Sequence, residues 1–213
     1  MLLTAYRTKL TLARTILTPL IICCQGQLCV EEEPRTKAQQ EREAFRRAIV
    51  DEKDIETLVR GMAKYLSDPA IQEWACNRLR QLANIERQLE IANLGGVQAI
   101  LQAMKVHATE AKVQKEACDA LSSLGNNDDN MVTIANLGGI QAILRAMKEH
   151  ATQAKVQENA CAALYNLANN ADNQTLIKKE GGEELVRRAM AASNATDYTK
   201  KCGQKLLDKL AQC

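Results

Sequence analysis

The chain has 213 residues, and its composition, with only 3% aromatic residues and many Ala, Leu, Ile and Gln, favours helix-on-helix packing over a β-sandwich. The net charge is +2, but residues 1–30 hold three basic side chains and no acid, so the remainder, with 25 basic and 26 acidic residues, is nearly neutral. Because residues 31–213 are nearly neutral, they lack the positive charge that nucleic-acid binding requires, and we predict no nucleic-acid partner.

Residues 1–30 differ in kind from the rest of the chain. They are basic, hydroxyl-rich and free of acid, and an apolar run from Ile16 to Cys24 is interrupted by Pro19. This run is too short and too interrupted to be taken as a membrane span. The composition is typical of a cleaved organellar presequence, while a signal peptide, a palmitoylated segment and a disordered tail stay open as alternatives. We expect any membrane association to occur through this segment alone.

A charged stretch containing a proline, residues 31–37, follows and indicates a linker. From about residue 38 the pattern becomes helical, with Phe45 and Ile49 on one face. We therefore place a repeat domain at residues 38–213.

A 43-residue segment occurs twice in tandem, as residues 91–133 and 134–176. The two copies are identical at 29 of 43 positions without a gap. A fixed period in this range is typical of a solenoid of stacked helical units, and helical solenoids mostly bind other macromolecules. The repeat therefore predicts an interaction scaffold and leaves the identity of its partner open.

Each unit is predicted to contain an apolar helix, a polar loop, a longer helix and a short helix that ends at a pair of glycines. The apolar helices begin at Ile55, Val97 and Ile140. The longer helices cover residues 71–83, 113–124 and 156–168. The glycine pairs are Gly95-Gly96, Gly138-Gly139 and Gly181-Gly182. Glycine permits a positive φ and close backbone approach, so the chain can turn sharply there between two helices.

This three-helix unit resembles the armadillo repeat. The resemblance is carried by the glycine pair, the (I/V)QAIL that follows it, and the long-helix pattern VQxxACxALxxL. It implies an all-α, right-handed α-solenoid of about four repeats, with a period of 42–43 residues. The two-helix HEAT pattern fits less well, because it lacks the short helix before the glycine turn. The units lie at about 38–83, 84–126, 127–169 and 170–213, and the last is divergent, as expected of an end unit.

Comparison of the two copies separates two stripes on the long helix. Positions with the same residue in both copies are spaced so that they lie on one face of the helix, and we predict that this face forms the core. They are Val113, Ala117, Cys118, Leu121 and Leu124, with their partners in the second copy. Positions that differ form a second stripe beside the first. In armadillo proteins the long third helix lines the concave groove, so the resemblance implies that the second stripe is the groove; solvated surface without function is the open alternative.

The candidate partner-binding residues belong to this second stripe and its equivalents in other units. They are Trp74, Asn77, Gln81, Glu116, Asp119, Ser123, Asn159 and Asn166. In the family, a Trp and an Asn one turn later often hold the backbone of an extended peptide. Here the Trp position is occupied by Asn77, Asp119 and Ala162, and only Asn166 matches at the Asn position.

Trp74, Glu116 and Asp119 carry more specific expectations than the other candidate residues. Trp74 either anchors the partner or packs against the helix predicted near residues 38–50. Glu116 and Asp119 would give a modest preference for a basic partner.

Cysteines recur at one site in successive units, at Cys76, Cys118 and Cys161. Neighbouring helices lie about 9–10 Å apart, whereas a disulfide needs Cα atoms within about 7 Å. We therefore predict buried, reduced thiols. This favours a reducing intracellular compartment, cytoplasmic, or mitochondrial or otherwise organellar if residues 1–30 act as a presequence.

Catalytic and metal-binding patterns are absent from the sequence. The two histidines, His107 and His150, lack a close pair of further ligands, and a structural role at a helix end is expected for both. No phosphate loop, dinucleotide fingerprint or nucleophile elbow occurs. We predict no enzyme activity, cofactor, metal or small-molecule substrate, and a protein or extended peptide as partner. The alternative is a structural or accessory subunit of a large multiprotein assembly, which would be organellar if residues 1–30 act as a presequence.

Overall fold

The computed structural model describes residues 20–22, 28–30, 36–48 and 53–212, and for the first two of these ranges the backbone alone. The chain divides into two compact units, Met1–Glu41 and Arg42–Cys213. In the first unit, strands β1 (Leu20–Ile22) and β2 (Leu28–Val30) pair antiparallel. The rest of the 1–30 segment and most of the predicted linker lie outside the described residues, so their proposed roles stay predictions.

Helices make up nearly all of the described second unit, and the predicted all-α solenoid is confirmed. They recur in sets of a short, an intermediate and a long helix, preceded by one helix and one incomplete set. Their bounds are α1 (Lys37–Ala48), α2 (Ile55–Lys64), α3 (Pro69–Leu82), α4 (Gln88–Asn93), α5 (Gly96–Val106), α6 (Ala111–Leu124), α7 (Asp128–Asn136), α8 (Gly139–Glu149), α9 (Ala154–Leu167), α10 (Ala171–Lys179), α11 (Gly182–Ala191) and α12 (Asp197–Leu210).

Side-chain caps fix where several helices begin. Asn127 accepts a hydrogen bond from the Asn130 amide at 3.1 Å, and Asn170 does the same for Asn173 one repeat later. Thr196 accepts from the Thr199 amide at 3.0 Å and starts α12. First-turn amides have no partner inside their own helix, so these caps stabilise the starts of the helices.

The glycine pairs turn the chain between the short and intermediate helices, as predicted. The first glycine of each pair has a left-handed backbone, with φ of 85°, 83° and 77° at Gly95, Gly138 and Gly181. The second glycine lies close to the preceding helix. A Cβ at Gly139 would overlap the Ile134 side chain and lie 2.7 Å from the Ile134 carbonyl oxygen. Positive φ and close packing therefore explain why both positions are glycine.

The predicted core stripe of the long helix is confirmed. Val113 and Leu121 are at most 1% exposed, and so are their equivalents Val156 and Leu164. The core is continuous through the repeats, because each third helix packs against the third helix of the next unit. Burial of this aliphatic surface is the main stabilising contribution to such a stack.

Buried glutamines join the intermediate helix to the long helix in the first three units. The Gln114 Nε2 donates to the carbonyl oxygens of Met104 and His107, both at 2.9 Å. Gln72 and Gln157 make the equivalent pairs of bonds in their own units. These bonds satisfy carbonyl groups at the end of the intermediate helix. These bonds were not predicted from the sequence, although the glutamine is identical in both copies.

The two histidines have the structural role predicted for them at helix ends. His107 and His150 follow α5 and α8 directly and are buried. The Nε2 of His107 lies 2.7 Å from the Leu66 carbonyl oxygen, and that of His150 lies 2.7 Å from the Ala108 carbonyl oxygen. Each contact joins a unit to the preceding one.

The repeat cysteines are buried and free, as predicted. Burial raises the pKa of the Cys118 and Cys161 thiols to about 12 and that of Cys76 further. Since the thiolate is the reactive form, these thiols are protonated and unreactive at neutral pH.

Candidate partner-binding face

The long helices α3, α6, α9 and α12 lie side by side in one layer. They pack against each other more closely than the intermediate helices of neighbouring units do. Their partly exposed side chains therefore form one continuous surface, here called the third-helix face. It consists of Trp74, Asn77, Gln81, Asp119, Ser123, Asn159, Ala162, Tyr165, Asn166, Tyr198, Lys201 and Lys205.

Seven of the eight predicted partner-binding residues lie on this face. Trp74, at its first-unit end, is 38% exposed, and the Arg46 guanidinium of α1 lies 4.8 Å from its ring centroid. The contact with α1 matches the packing alternative considered for this residue. The exposed remainder of the ring still offers apolar area to a partner.

Glu116 is the exception among the predicted residues. It is only 6% exposed, and its carboxylate accepts a hydrogen bond from Asn77 at 2.7 Å and pairs with Lys115 at 2.6 Å. Asn77 in turn accepts a hydrogen bond from Gln81 at 2.7 Å. Glu116 therefore lies between α3 and α6 and joins two units, because neighbouring long helices approach closely enough for its carboxylate to be bonded from both sides.

Asp119 and Ser123 lie in the middle of the face. Asp119 pairs with Arg80 of α3 at 3.3 Å, and both side chains are about one-third exposed. Burial raises the pKa of Asp119, and the Arg80 guanidinium offsets this effect only in part. The Ser123 hydroxyl donates to the Asp119 carbonyl oxygen at 3.1 Å within α6.

Asn159 and Asn166 join α9 to α6 through their amide donors. The Asn159 Nδ2 donates to the Lys115 carbonyl oxygen at 3.0 Å, and the Asn166 Nδ2 donates to the Ser122 carbonyl oxygen at 2.9 Å. Within the described part of the chain, no donor reaches the side-chain carbonyl oxygen of either residue. Each asparagine is thus held in place by its amide and keeps an acceptor free on a partly exposed side chain.

A pocket of about 440 Å³ lies away from this face, between α2 and α5. Its lining residues are Val59, Met62, Ala63, Leu66, Gly95, Gln98, Ala99 and Gln102. A second pocket, of about 230 Å³, lies on the face itself between α9 and α12. Its lining residues are Ala162, Tyr165, Asn166, Tyr198, Lys201, Cys202 and Lys205. The α12 residues of this pocket were not predicted from the sequence, because the last unit diverges from the two matching copies.

Lys209 holds the Tyr165 ring at the edge of this second pocket. Its ammonium lies 3.8 Å from the Tyr165 ring centroid, 3.3 Å from the Tyr165 carbonyl oxygen, and in hydrogen-bond contact with Asn169 Oδ1. Burial lowers the pKa of Lys209. Nearby, burial acts to raise the pKa of Glu158, but hydrogen bonds from Lys155 and Thr196 outweigh it and hold that pKa below its usual value.

Metal-ligating clusters and membrane-crossing helices are both absent from the described residues. No group of three or more His, Cys, Asp or Glu side chains in them is arranged to hold a metal ion. Across the same ranges, no helix combines the length and apolar character needed to cross a bilayer.

Comparison with known proteins agrees with the repeat architecture. A family model for the Armadillo/beta-catenin-like repeat matches residues 127–169. Protein aardvark of Dictyostelium discoideum is 38% identical over 75 residues, which is 33% of this chain and only 10% of aardvark. A crystallised engineered protein superposes with a TM-score of 0.66 at 26% identity, covering 80% of this chain and 67% of that chain.

The designed armadillo repeat protein YIII(Dq)4CqI superposes with a TM-score of 0.67, covering 84% of this chain and 78% of that chain. At 15% identity, this likeness concerns the fold. The armadillo fold is typically that of a protein-binding scaffold. With its matched repeat at residues 127–169, its glycine turns and its stacked three-helix units, this chain has the armadillo-repeat fold.

Proposed function

We propose that this protein is a non-enzymatic interaction scaffold that binds an extended segment of a partner protein along the third-helix face. The observation that carries the proposal is the pair of oriented asparagines, Asn159 and Asn166. Each is fixed by a bond to α6 and keeps a free side-chain carbonyl oxygen. An extended backbone presents N–H donors that such acceptors can bind.

Exposed aromatic side chains supply the second requirement of a binding surface, which is apolar area. Trp74 is 38% exposed and Tyr198 is 56% exposed, at opposite ends of the row of long helices. Aromatic residues of this kind contribute a large share of binding energy at many interfaces, because they combine apolar surface with a hydrogen-bonding group. The face thus combines fixed acceptors in its centre with apolar anchors at both ends.

A different surface favours the alternative role, that of an accessory subunit in a large assembly. The short helices α4 and α7, with the residue that directly follows each of them, expose four aliphatic side chains, which form the surface here called the first-helix face. They are Leu89, Leu94, Val132 and Leu137, each at least 39% exposed. Exposed apolar residues at equivalent positions of successive units suit a broad contact with a neighbouring subunit.

Steric blocking distinguishes the two surfaces. Ala162 is partly exposed on the third-helix face, and we expect Ala162→Arg to reduce recovery of the partner at least about tenfold, as loss of an interface hot spot does. Val132→Arg places the same side chain on the first-helix face and should leave recovery unchanged. Affinity purification of both variants and the wild type, with quantitative mass spectrometry, measures the recovery.

The reverse pattern would contradict the proposal. Loss of a stoichiometric set of proteins with Val132→Arg, and none with Ala162→Arg, would assign binding to the first-helix face and favour the assembly role. Circular dichroism and thermal unfolding of both variants verify that each one folds. Ala162 and Val132 make no side-chain hydrogen bond, so neither replacement removes a bond that holds the repeats together.

A compartment can also be proposed. We place the protein in a reducing intracellular environment, and the free, buried thiols of Cys76, Cys118, Cys161 and Cys202 support this. Whether residues 1–30 direct it to an organelle is decided by sequencing the N-terminus of the mature protein.

A further inference from the structure

We infer that the third-helix face takes an acidic extended segment, with a carboxylate of that segment seated in the pocket between α9 and α12 beside Lys201 and Lys205. The inference rests on the proposed function and adds the chemistry of the partner to it. It follows from the distribution of paired and unpaired charges on the face.

Three of the carboxylates near the face are already paired within the protein. Each lies within 3.3 Å of a basic side chain of the same or the preceding unit. The pairs are Glu116 with Lys115, Asp119 with Arg80, and Glu158 with Lys155. Paired carboxylates add little attraction for a cationic partner. This removes the basis for the preference for a basic partner that the sequence suggested for Glu116 and Asp119.

Lys201 and Lys205, by contrast, form no ion pair among the described residues, and the Lys205 ammonium lies 6.0 Å from the Tyr165 ring centroid. They lie one turn apart on α12, both are exposed, and both line the pocket. Within the described residues, no carboxylate lies at ion-pair distance from either ammonium. The nearby Asp208 accepts a hydrogen bond from Gln204 at 2.8 Å instead. The pocket is therefore a place where positive charge has no carboxylate partner among the described residues.

The pocket also has the polar and aromatic groups that would fix a carboxylate side chain. Tyr198 contributes a phenolic hydroxyl, which can donate a hydrogen bond, and Tyr165 is held in place by Lys209. The volume of about 230 Å³ admits a side chain of Asp or Glu size together with water.

The pocket is continuous with the fixed acceptors of the face. Asn166 lines the pocket and is one of the two asparagines that keep a free carbonyl oxygen. A segment whose backbone binds Asn159 and Asn166 would therefore pass the mouth of the pocket. An acidic side chain at that point would reach Lys201 and Lys205, and the same two lysines would speed association with an acidic partner.

The test is selection from a displayed library of random peptides of about twelve residues, long enough to span about 40 Å when extended. The targets are the full chain, its K201Q/K205Q variant, and K105Q/K148Q, which removes two exposed lysines from α5 and α8 as a charge-matched control. The best peptide is then measured with all three by fluorescence polarisation at low and high salt. A fourth target, A162R, reports on use of the third-helix face.

We expect that selection on the wild type and on the K105Q/K148Q control will each yield peptides enriched in Asp and Glu. Affinity of the best peptide should fall about tenfold in K201Q/K205Q and should weaken with salt in the wild type more than in that variant. Neutral or basic peptides, or equal affinity for the wild type and K201Q/K205Q, would overturn the acidic-segment inference. If such peptides still fail to bind A162R, the proposed function stands. If A162R binds them normally, or no peptide is selected, both proposals fall.

Discussion

Replacing Leu121 with alanine is expected to lower the free energy of unfolding by about 2–5 kcal/mol, the range for emptied aliphatic core sites. Leu121 is fully buried in α6, between α3 and α9, in the centre of the stack. The surrounding helices are fixed by neighbours on both sides, so the cavity can close only in part. Urea unfolding followed by circular dichroism measures the change.

Leu137→Ala serves as the matched control for Leu121. Leu137 is 42% exposed, and its truncation should cost less than about 1 kcal/mol. If Leu121→Ala also costs less than about 0.5 kcal/mol, Leu121 is not in the core, and the rotational phase assigned to the long helices is wrong.

Gln114→Met is expected to lower the free energy of unfolding by about 1–3 kcal/mol, the cost of a buried polar group left without its partner. Methionine keeps the length and approximate volume of the side chain but cannot donate to Met104 and His107. The His107 carbonyl oxygen still accepts from the Glu110 amide, so the larger loss falls on the Met104 carbonyl oxygen.

Gln102→Met provides the control, because Gln102 is exposed on α5. Denaturant unfolding of the two variants should differ by more than the uncertainty of the method, with Gln114→Met the less stable. Equal stability would mean that the buried glutamine bonds add no net free energy.

Much of the fold could be predicted because it depends on short-range rules. Gly138 and Gly139 indicated a turn because few other residues tolerate positive φ or such close packing. Leu121 and Leu164 indicated a core because identical residues recurred at helical spacing in two copies. Both inferences used neighbours along the chain or a comparison of the two copies, and neither required knowledge of which helices pack together.

Contacts between units could not be predicted in the same way. Asn159, Asn166 and Glu116 were assigned to an open polar surface because their positions differ between the two copies. In the structure they bond to a neighbouring long helix about 40 residues away in the chain. A position can therefore differ between repeats and still contribute to packing, because each unit can bond to its neighbour with different side chains.

The α9–α12 pocket was missed for a different reason. Tyr198, Lys201 and Lys205 belong to the divergent last unit, where no second copy marks which positions are free. A signal was present, since α12 carries four lysines and two acids, and the lysines at 201, 205 and 209 recur at four-residue intervals. Helical periodicity applied to charge, in addition to apolar residues, would have indicated a basic stripe.

Site-specific photocrosslinking tests the central claim, that partners bind the third-helix face, most directly. p-Benzoylphenylalanine is placed at Ser123, which is partly exposed in the middle of this face, and in a second protein at Leu137 on the first-helix face. After irradiation in cell extract, adducts are identified by mass spectrometry. The account predicts a partner adduct from position 123 and none from position 137. An adduct from position 137 with none from position 123 would contradict it.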